Sequence, residues 1–196
     1  MAFHTLMRRD LEEMLFRLAE HAHGEPKLRA RLVKSIRLVM RASIAEKARG
    51  RDGLYQSLRG VATRWARWRA PRLMRALDID PRDARDLGRI QDWEDELLGV
   101  TGHWVPGATK RCATKRETAC PFTDLAAKDP AICTELVHEL ESETFRVLNP
   151  AYRLVPLTTL LSKGAAHCEF RHELIEVAEE TALAQGSEEM NQRDGT

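Results

Sequence analysis

Tyr152-Arg153-Leu154-Val155-Pro156-Leu157-Thr158-Thr159-Leu160-Leu161 and His167-Cys168-Glu169-Phe170-Arg171-His172-Glu173-Leu174, separated by Ser162-Lys163-Gly164-Ala165-Ala166, decide the fold class of this chain. Residues 154–161 and 168–174 alternate apolar with polar side chains, the period of half-buried strands, and Gly164 supplies a turn between them. Two antiparallel strands are therefore expected here. Immediately upstream, Pro130 opens a helical pattern over residues 131–145, with Ile132, Leu136, Leu140 and Phe145 as its inner positions, and Asn149-Pro150 closes it. Further back, Val100-Thr101-Gly102-His103-Trp104-Val105-Pro106 is short and β-prone, whereas residues 109–119 are polar with little helical pattern.

The first half of the chain reads as helices. Leu6, Leu11, Met14, Leu15 and Leu18 mark one face over residues 5–22, ended by Gly24-Glu25-Pro26. Leu28, Leu32, Ile36, Val39, Met40 and Ile44 recur at threes and fours over residues 27–47, before the turn Gly50-Arg51-Asp52-Gly53. Residues 54–68 present Leu54, Leu58, Val61, Trp65 and Trp68, and Pro71 is expected to interrupt or restart that helix. Asp80-Pro81 reads as the cap and first turn of another helix carrying Leu87, Ile90, Trp93, Leu97 and Leu98 to Gly99. The expectation is an α+β fold: a helical region over residues 1–99, then a small antiparallel sheet with a packed helix over 100–180, and an acidic tail over 181–196, disordered at its end.

Charge is distributed unevenly. Residues 1–75 carry 18 Lys/Arg against 7 Asp/Glu, and residues 76–196 carry 13 against 23, which leaves a net charge of +1. Two halves so nearly balanced complement each other within one fold or across a homodimer, and a nucleic-acid surface is not expected. The basic run Thr63-Arg64-Trp65-Ala66-Arg67-Trp68-Arg69 reads accordingly as core tryptophans edged by arginines. No stretch of about 18 apolar residues spans a membrane, and the charged N-terminus lacks the apolar centre of a signal peptide. A cytoplasmic protein is expected, with its cysteines reduced and available for metal binding or catalysis rather than disulfides.

All four cysteines, Cys112, Cys120, Cys133 and Cys168, fall in the C-terminal half. None forms the close pair of a zinc knuckle. Cys120 precedes Pro121 and is pushed towards an extended conformation. Cys133 falls in the first turn of the helix, where the positive end of the helix dipole lowers a thiol pKa. Cys168 follows the Gly164 turn. Convergence of Cys120, Cys133 and Cys168 is expected, with Cys112 left outside by its polar flanks; as ligands they suit zinc or iron, an iron–sulfur cluster less well. On the same helix His138 and Glu141 share a face, while Cys133 sits about 140° from His138 and about 80° from Glu141.

The run Asn149-Pro150-Ala151-Tyr152-Arg153-Leu154 … Thr159-Leu160-Leu161-Ser162-Lys163-Gly164-Ala165-Ala166-His167-Cys168-Glu169-Phe170-Arg171 resembles the C-terminal signature of the L-2-amino-thiazoline-4-carboxylic acid hydrolase family. Cys120-Pro121-Phe122 matches that signature's upstream cysteine. Counting back from Asn149 puts its helical Cys-x-x-Asp position at His138 and Glu141, whereas residue type prefers Cys133. The turn Gly164-Ala165 lacks the family's Asp. The similarity extends over residues 119–173, and a fainter one is to the 4-vinyl reductase domain, a small-ligand module. The resemblance implies a pocket ringed by cysteines and an acid, and hydrolytic opening of a cyclic C–N bond in a small thiazoline-carboxylate-type substrate. Cys120, His138, Glu141 and Cys168 would be its catalytic residues, and Arg153 or Arg171 would hold the carboxylate. A metal-bound hydroxide and a cysteine nucleophile are both compatible with these residues. The competing expectation is a non-enzymatic sensor that binds a small ligand or a metal.

Overall fold

The computed structural model describes residues 17–155 and 158–175. Most of the expected first helix, the acidic tail and two residues of the expected strand over 154–161 lie outside them. Residues 17–24 are helical (α1), followed by α2 (Pro26–Lys47), α3 (Gly53–Ala76), α4 (Ala84–Leu87) and α5 (Arg89–Leu98). Strands β1 (Thr101–Trp104) and β2 (Cys112–Ala119) come next. After α6 (Thr123–Ala126), a π-helical stretch (Ile132–Val137) runs into α7 (His138–Arg146), and β3 (Tyr152–Val155) and β4 (Cys168–Leu174) complete the sheet. The fold is α+β, as expected: a helical first half, then a four-stranded antiparallel sheet, order β1-β2-β4-β3, with a helix packed on it.

Local chemistry explains most boundaries. Glu25 caps α2 by accepting from the Lys27 amide, and Pro26 occupies the first turn, where its missing N–H costs nothing. α3 runs unbroken through Pro71, against expectation. An interior proline costs about 3 kcal/mol, but Ala66, Arg69, Ala70 and Leu73 on either side are all buried, so packing holds the helix together. Asp80-Pro81 does not open a helix. The cap is Asp83, whose Oδ1 accepts from the amides of Arg85 and Asp86 at 2.9 and 3.1 Å, while Asp80 holds the preceding turn through Arg82. α5 ends on Gly99 in the left-handed region, φ 74°.

The sheet differs from expectation in two places. β2 occupies the polar stretch with little helical pattern, and the described strand β3 is Tyr152–Val155, residues 158–160 lying outside the sheet. Leu160 instead buries itself in the core, and residues Leu161–Lys163 make a 3-10 turn closed by Gly164 at φ 84°. β3 and β4 pair antiparallel as expected. Along the inner face lie Ala113, Lys115 and Glu117 of β2, Cys168, Phe170 and His172 of β4, and Tyr152 and Leu154 of β3. The main core joins Leu73, Leu87 and Ile90 from the helical half to Phe145, Tyr152, Leu154, Leu160 and Phe170.

The two charge halves meet. Arg37 pairs with Asp124 at 2.8 Å, Lys47 with Asp129 at 2.9 Å, Arg59 with Glu139 at 2.6 Å and Arg67 with Glu143 at 2.9 Å, each a first-half cation on a second-half carboxylate. Trp65 and Trp68 lie partly buried with ring centroids 5.2 Å apart, and the Arg72 guanidinium covers Trp68. Among the described residues no helix is long and apolar enough to cross a membrane.

Candidate active site

Between α3, α5, α7 and the inner face of the sheet lies a layer of enclosed charge. Arg69 reaches it from α3, Gln91, Glu94 and Asp95 from α5, Lys115 and Glu117 from β2, and Glu141 from α7. Arg69 is 0% exposed, Lys115 2% and Glu141 7%. Charged side chains are rarely enclosed so fully unless paired, and here pairing is partial. Arg69 Nη2 meets Glu94 Oε1. Lys115 Nζ donates to Asp92 at 2.8 Å and to Asp95 at 2.5 Å. Gln91 Nε2 donates to Glu117 Oε1 at 3.0 Å. Arg69 Nε and Nη1, Gln91 Oε1, Glu94 Oε2 and Glu141 Oε2 are buried without a hydrogen-bond partner among the described residues.

Burial sets the ionisation of the layer. Desolvation pushes Glu141 up to about 7, against the pull of Arg69 and with a further push from Asp95. Glu117 is raised well above the ordinary carboxylate range by desolvation and then by Asp95. Arg69 is lowered by burial to about 10 and stays charged near neutrality. Desolvation works against the charge on Lys115, but Asp95 and Asp92 outweigh it and its pKa rises.

Cys120, Cys133 and Cys168 border this layer. Glu117 stands directly across from Cys168 in the β2–β4 register, and the three thiols act electrostatically on one another. They do converge. Burial, however, drives Cys120 up to about 11 and Cys133 to about 12, and raises Cys168 as well. The lowering expected for Cys133 from the helix dipole is not met, because desolvation dominates and the Cys168 and Cys120 thiols push the same way. All four cysteines are free thiols. Cys112 stands apart at the start of β2, opposite Glu173, with its thiol beside the Arg171 guanidinium.

Donor placement does not make a metal centre: no group of three or more His, Cys, Asp or Glu among the described residues is arranged to hold an ion. The residues present therefore do not fit the expected zinc or iron. Of the other expected site residues, Glu141 is in the layer. His138 lies on the floor of a separate open groove of about 330 Å³ between α3 and α7, with Arg59, Glu139 and Ser142. Its Nε2 is buried without a partner. Arg153 and Arg171 are exposed on the outer face of the sheet, and Arg171 is paired with Glu173 at 2.7 Å, so neither reaches the layer. Strand alternation separates them from it, since Leu154 and His172 are their inward neighbours.

Arg69, Gln91, Glu94, Asp95, Lys115 and Glu117 escaped the sequence reading. Their signal was positional: Arg69 falls in the same stripe as Ala66, Ala70 and Leu73, and Lys115 and Glu117 alternate with Ala113.

Fold and layer together define an α+β protein with charge enclosed between its helices and its sheet. The sequence matches no family model and no curated protein. Among solved structures, the fold is similar to that of a trafficking protein particle complex subunit 3 from Naegleria fowleri, crystallised covalently bound to palmitic acid, with a TM-score of 0.52 at 10% identity. The match covers 75% of this chain and 97% of the other. At that identity the likeness is one of fold.

Proposed function

We propose that this chain is a small-molecule hydrolase whose chemistry runs in the enclosed layer, with Glu141 as the acid–base group and Arg69 as the anchor for a substrate carboxylate. The observation that carries this reading is Glu141 itself: a fully enclosed carboxyl poised at about 7 and acting on a buried arginine. A pKa near the working pH is what general acid–base catalysis needs. Arg69 adds two unpartnered N–H groups, and a carboxylate satisfies them in the paired geometry that guanidinium favours.

The similarity of residues 119–173 to the thiazoline-carboxylate hydrolases supplies the reaction class. Ionised Glu141 takes a proton from water as the water oxygen bonds to the ring amidine carbon. The ring nitrogen already carries one proton in the amidinium form of the substrate. Glu141 returns the water proton to it as the C–N bond breaks. The hydroxyl proton of the collapsing intermediate passes to solvent, leaving a thiocarbamate and a free amine. Cys120, Cys133 and Cys168, held protonated by burial, form a soft neutral wall rather than a resting nucleophile.

A second reading, a non-catalytic ligand-binding protein, draws on the fold shared with the palmitate-bearing subunit. An acyl chain in this layer would lie against Arg69, Glu94 and Glu141, whose idle atoms its methylenes could not satisfy, so a polar ligand fits better. The two readings part on turnover. The wild-type protein, given 2-amino-thiazoline-4-carboxylate and followed by NMR, should open the ring, with a pH–rate limb near 7. Glu141→Gln should lower kcat by about 10²–10⁴-fold, and Arg69→Lys should act chiefly on KM. Binding without ring opening would favour the ligand-binding reading, and neither binding nor turnover would remove the proposed substrate class.

A further inference from the structure

The unpaired atoms of the layer divide by chemistry. On the Arg69 side they are donors, Nε and Nη1. On the other side they are acceptors: Gln91 Oε1, Glu94 Oε2 and Glu141 Oε2. The charges divide as well. Arg69 has Glu94, and Lys115 has Asp92 and Asp95. Glu117 and Glu141 make no direct ion pair among the described residues: Lys115 acts on both, and Arg69 on Glu141, only at longer range. Glu117 is held in place by the amide of Gln91, which spends its donor on Glu117 Oε1 and leaves its own carbonyl oxygen unpartnered although the residue is 1% exposed. A buried amide whose acceptor is idle is costly unless something donates to it.

We infer that Gln91, Glu117 and Glu141 form a subsite for a cation rich in N–H groups, an amidinium, guanidinium or primary ammonium borne by the ligand. The subsite rests on the reading of the enclosed layer as a ligand site, and it adds a specificity determinant on α5 and β2, outside the stretch that resembles the hydrolases. An amidinium presents several N–H donors in a plane. It can donate to the Gln91 carbonyl while its charge favours the ionised form of two carboxyl groups that make no direct ion pair and that burial holds towards the protonated form. A metal ion is a poorer occupant, because these donors are not grouped as a metal site. A quaternary ammonium matches the charge but cannot donate to Gln91.

Calorimetry on the full chain with three probes separates the possibilities. 2-Amino-2-thiazoline carries the amidine-type cation and no carboxylate, tetramethylammonium carries charge without N–H groups, and thiophene-2-carboxylate carries only the anion. Binding of 2-amino-2-thiazoline is expected, with tetramethylammonium at least tenfold weaker. Glu117→Gln keeps the shape and an acceptor but removes the carboxyl that can ionise against a bound cation, and Gln91→Leu removes the idle carbonyl. Each should weaken 2-amino-2-thiazoline tenfold or more while leaving thiophene-2-carboxylate unchanged. A melting transition for each variant shows that it is folded, and loss in either one with the fold intact is sufficient support. Binding of the carboxylate alone would keep the layer as a ligand site and overturn the cation subsite. Equal binding of both cations would overturn the role of Gln91. If no probe binds, both the subsite and the reading beneath it fall.

Discussion

Glu141 links ionisation, stability and chemistry in one side chain. In the unfolded chain this carboxyl ionises near 4.5, and in the folded protein near 7. Below the lower value both states hold the proton and the group costs nothing. Between the two values the folded state keeps a proton that the unfolded state has released, so stability falls as pH rises, and the deficit stays in full above the upper value. A shift of this size corresponds to about 3 kcal/mol. Glu141→Gln should therefore match the wild type in thermal midpoint near pH 4 and exceed it at pH 8. A midpoint lower than wild type at both pH values would mean that the carboxyl is a structural partner rather than a strained one. Glu141 was singled out in the sequence by its distance before Asn149 and its three-residue spacing from His138, although the structure parts the two, His138 facing the groove beside Arg59 and Glu139. Arg69 was not, because an arginine in a basic, tryptophan-bearing helix reads as surface, and nothing local reveals that the sheet will close over it.

At the scale of elements, α4 and α5 are seated by close approach. A Cβ built at Gly88 would fall within the indole of Trp104. That indole donates to Asp92 at 2.9 Å, and Asp92 in turn receives Lys115. Gly88→Ala must displace the ring, and overpacking of this kind costs about 1–3 kcal/mol. Thermal unfolding should show the loss, and Trp fluorescence should report a changed environment. The same contacts explain why β2 left only a faint trace in the sequence. Its inward positions are Ala113, Lys115 and Glu117, so the alternation is present in space but not in hydropathy. β4 was readable because Cys168, Phe170 and His172 alternate with Glu169 and Arg171. β3 was overextended because Leu160 looks like another strand position, although it enters the core after the chain has left the sheet. Pro71 misled in the other direction, since its local cost is outweighed by packing that only the tertiary structure supplies.

On the scale of the whole molecule, the core is shared. Leu73, Leu87 and Ile90 bury against Phe145, Tyr152 and Phe170, and α3 lies along α7 with Arg59–Glu139 and Arg67–Glu143 across the seam. A fragment of residues 1–99 would expose that apolar face and carry the helical half's cations without their counter-charges. It should show helical circular dichroism but no cooperative melt, and addition of residues 100–196 in trans should restore one. A sharp transition in the fragment alone would show that the helical region is self-sufficient.

The seam also gives synthesis a direction. The ribosome releases the cationic half first, with a charge of +11 over residues 1–75, beside ribosomal RNA that is itself a polyanion. Its counter-charges between Asp124 and Glu143 and its apolar partners on β3 and β4 are translated later. Until the final strand clears the exit tunnel, the nascent helices have a nearer electrostatic partner in the machine that makes them than in their own chain. Release from that surface and closure of the charged layer would then be a single event, timed by the emergence of residues 138–174.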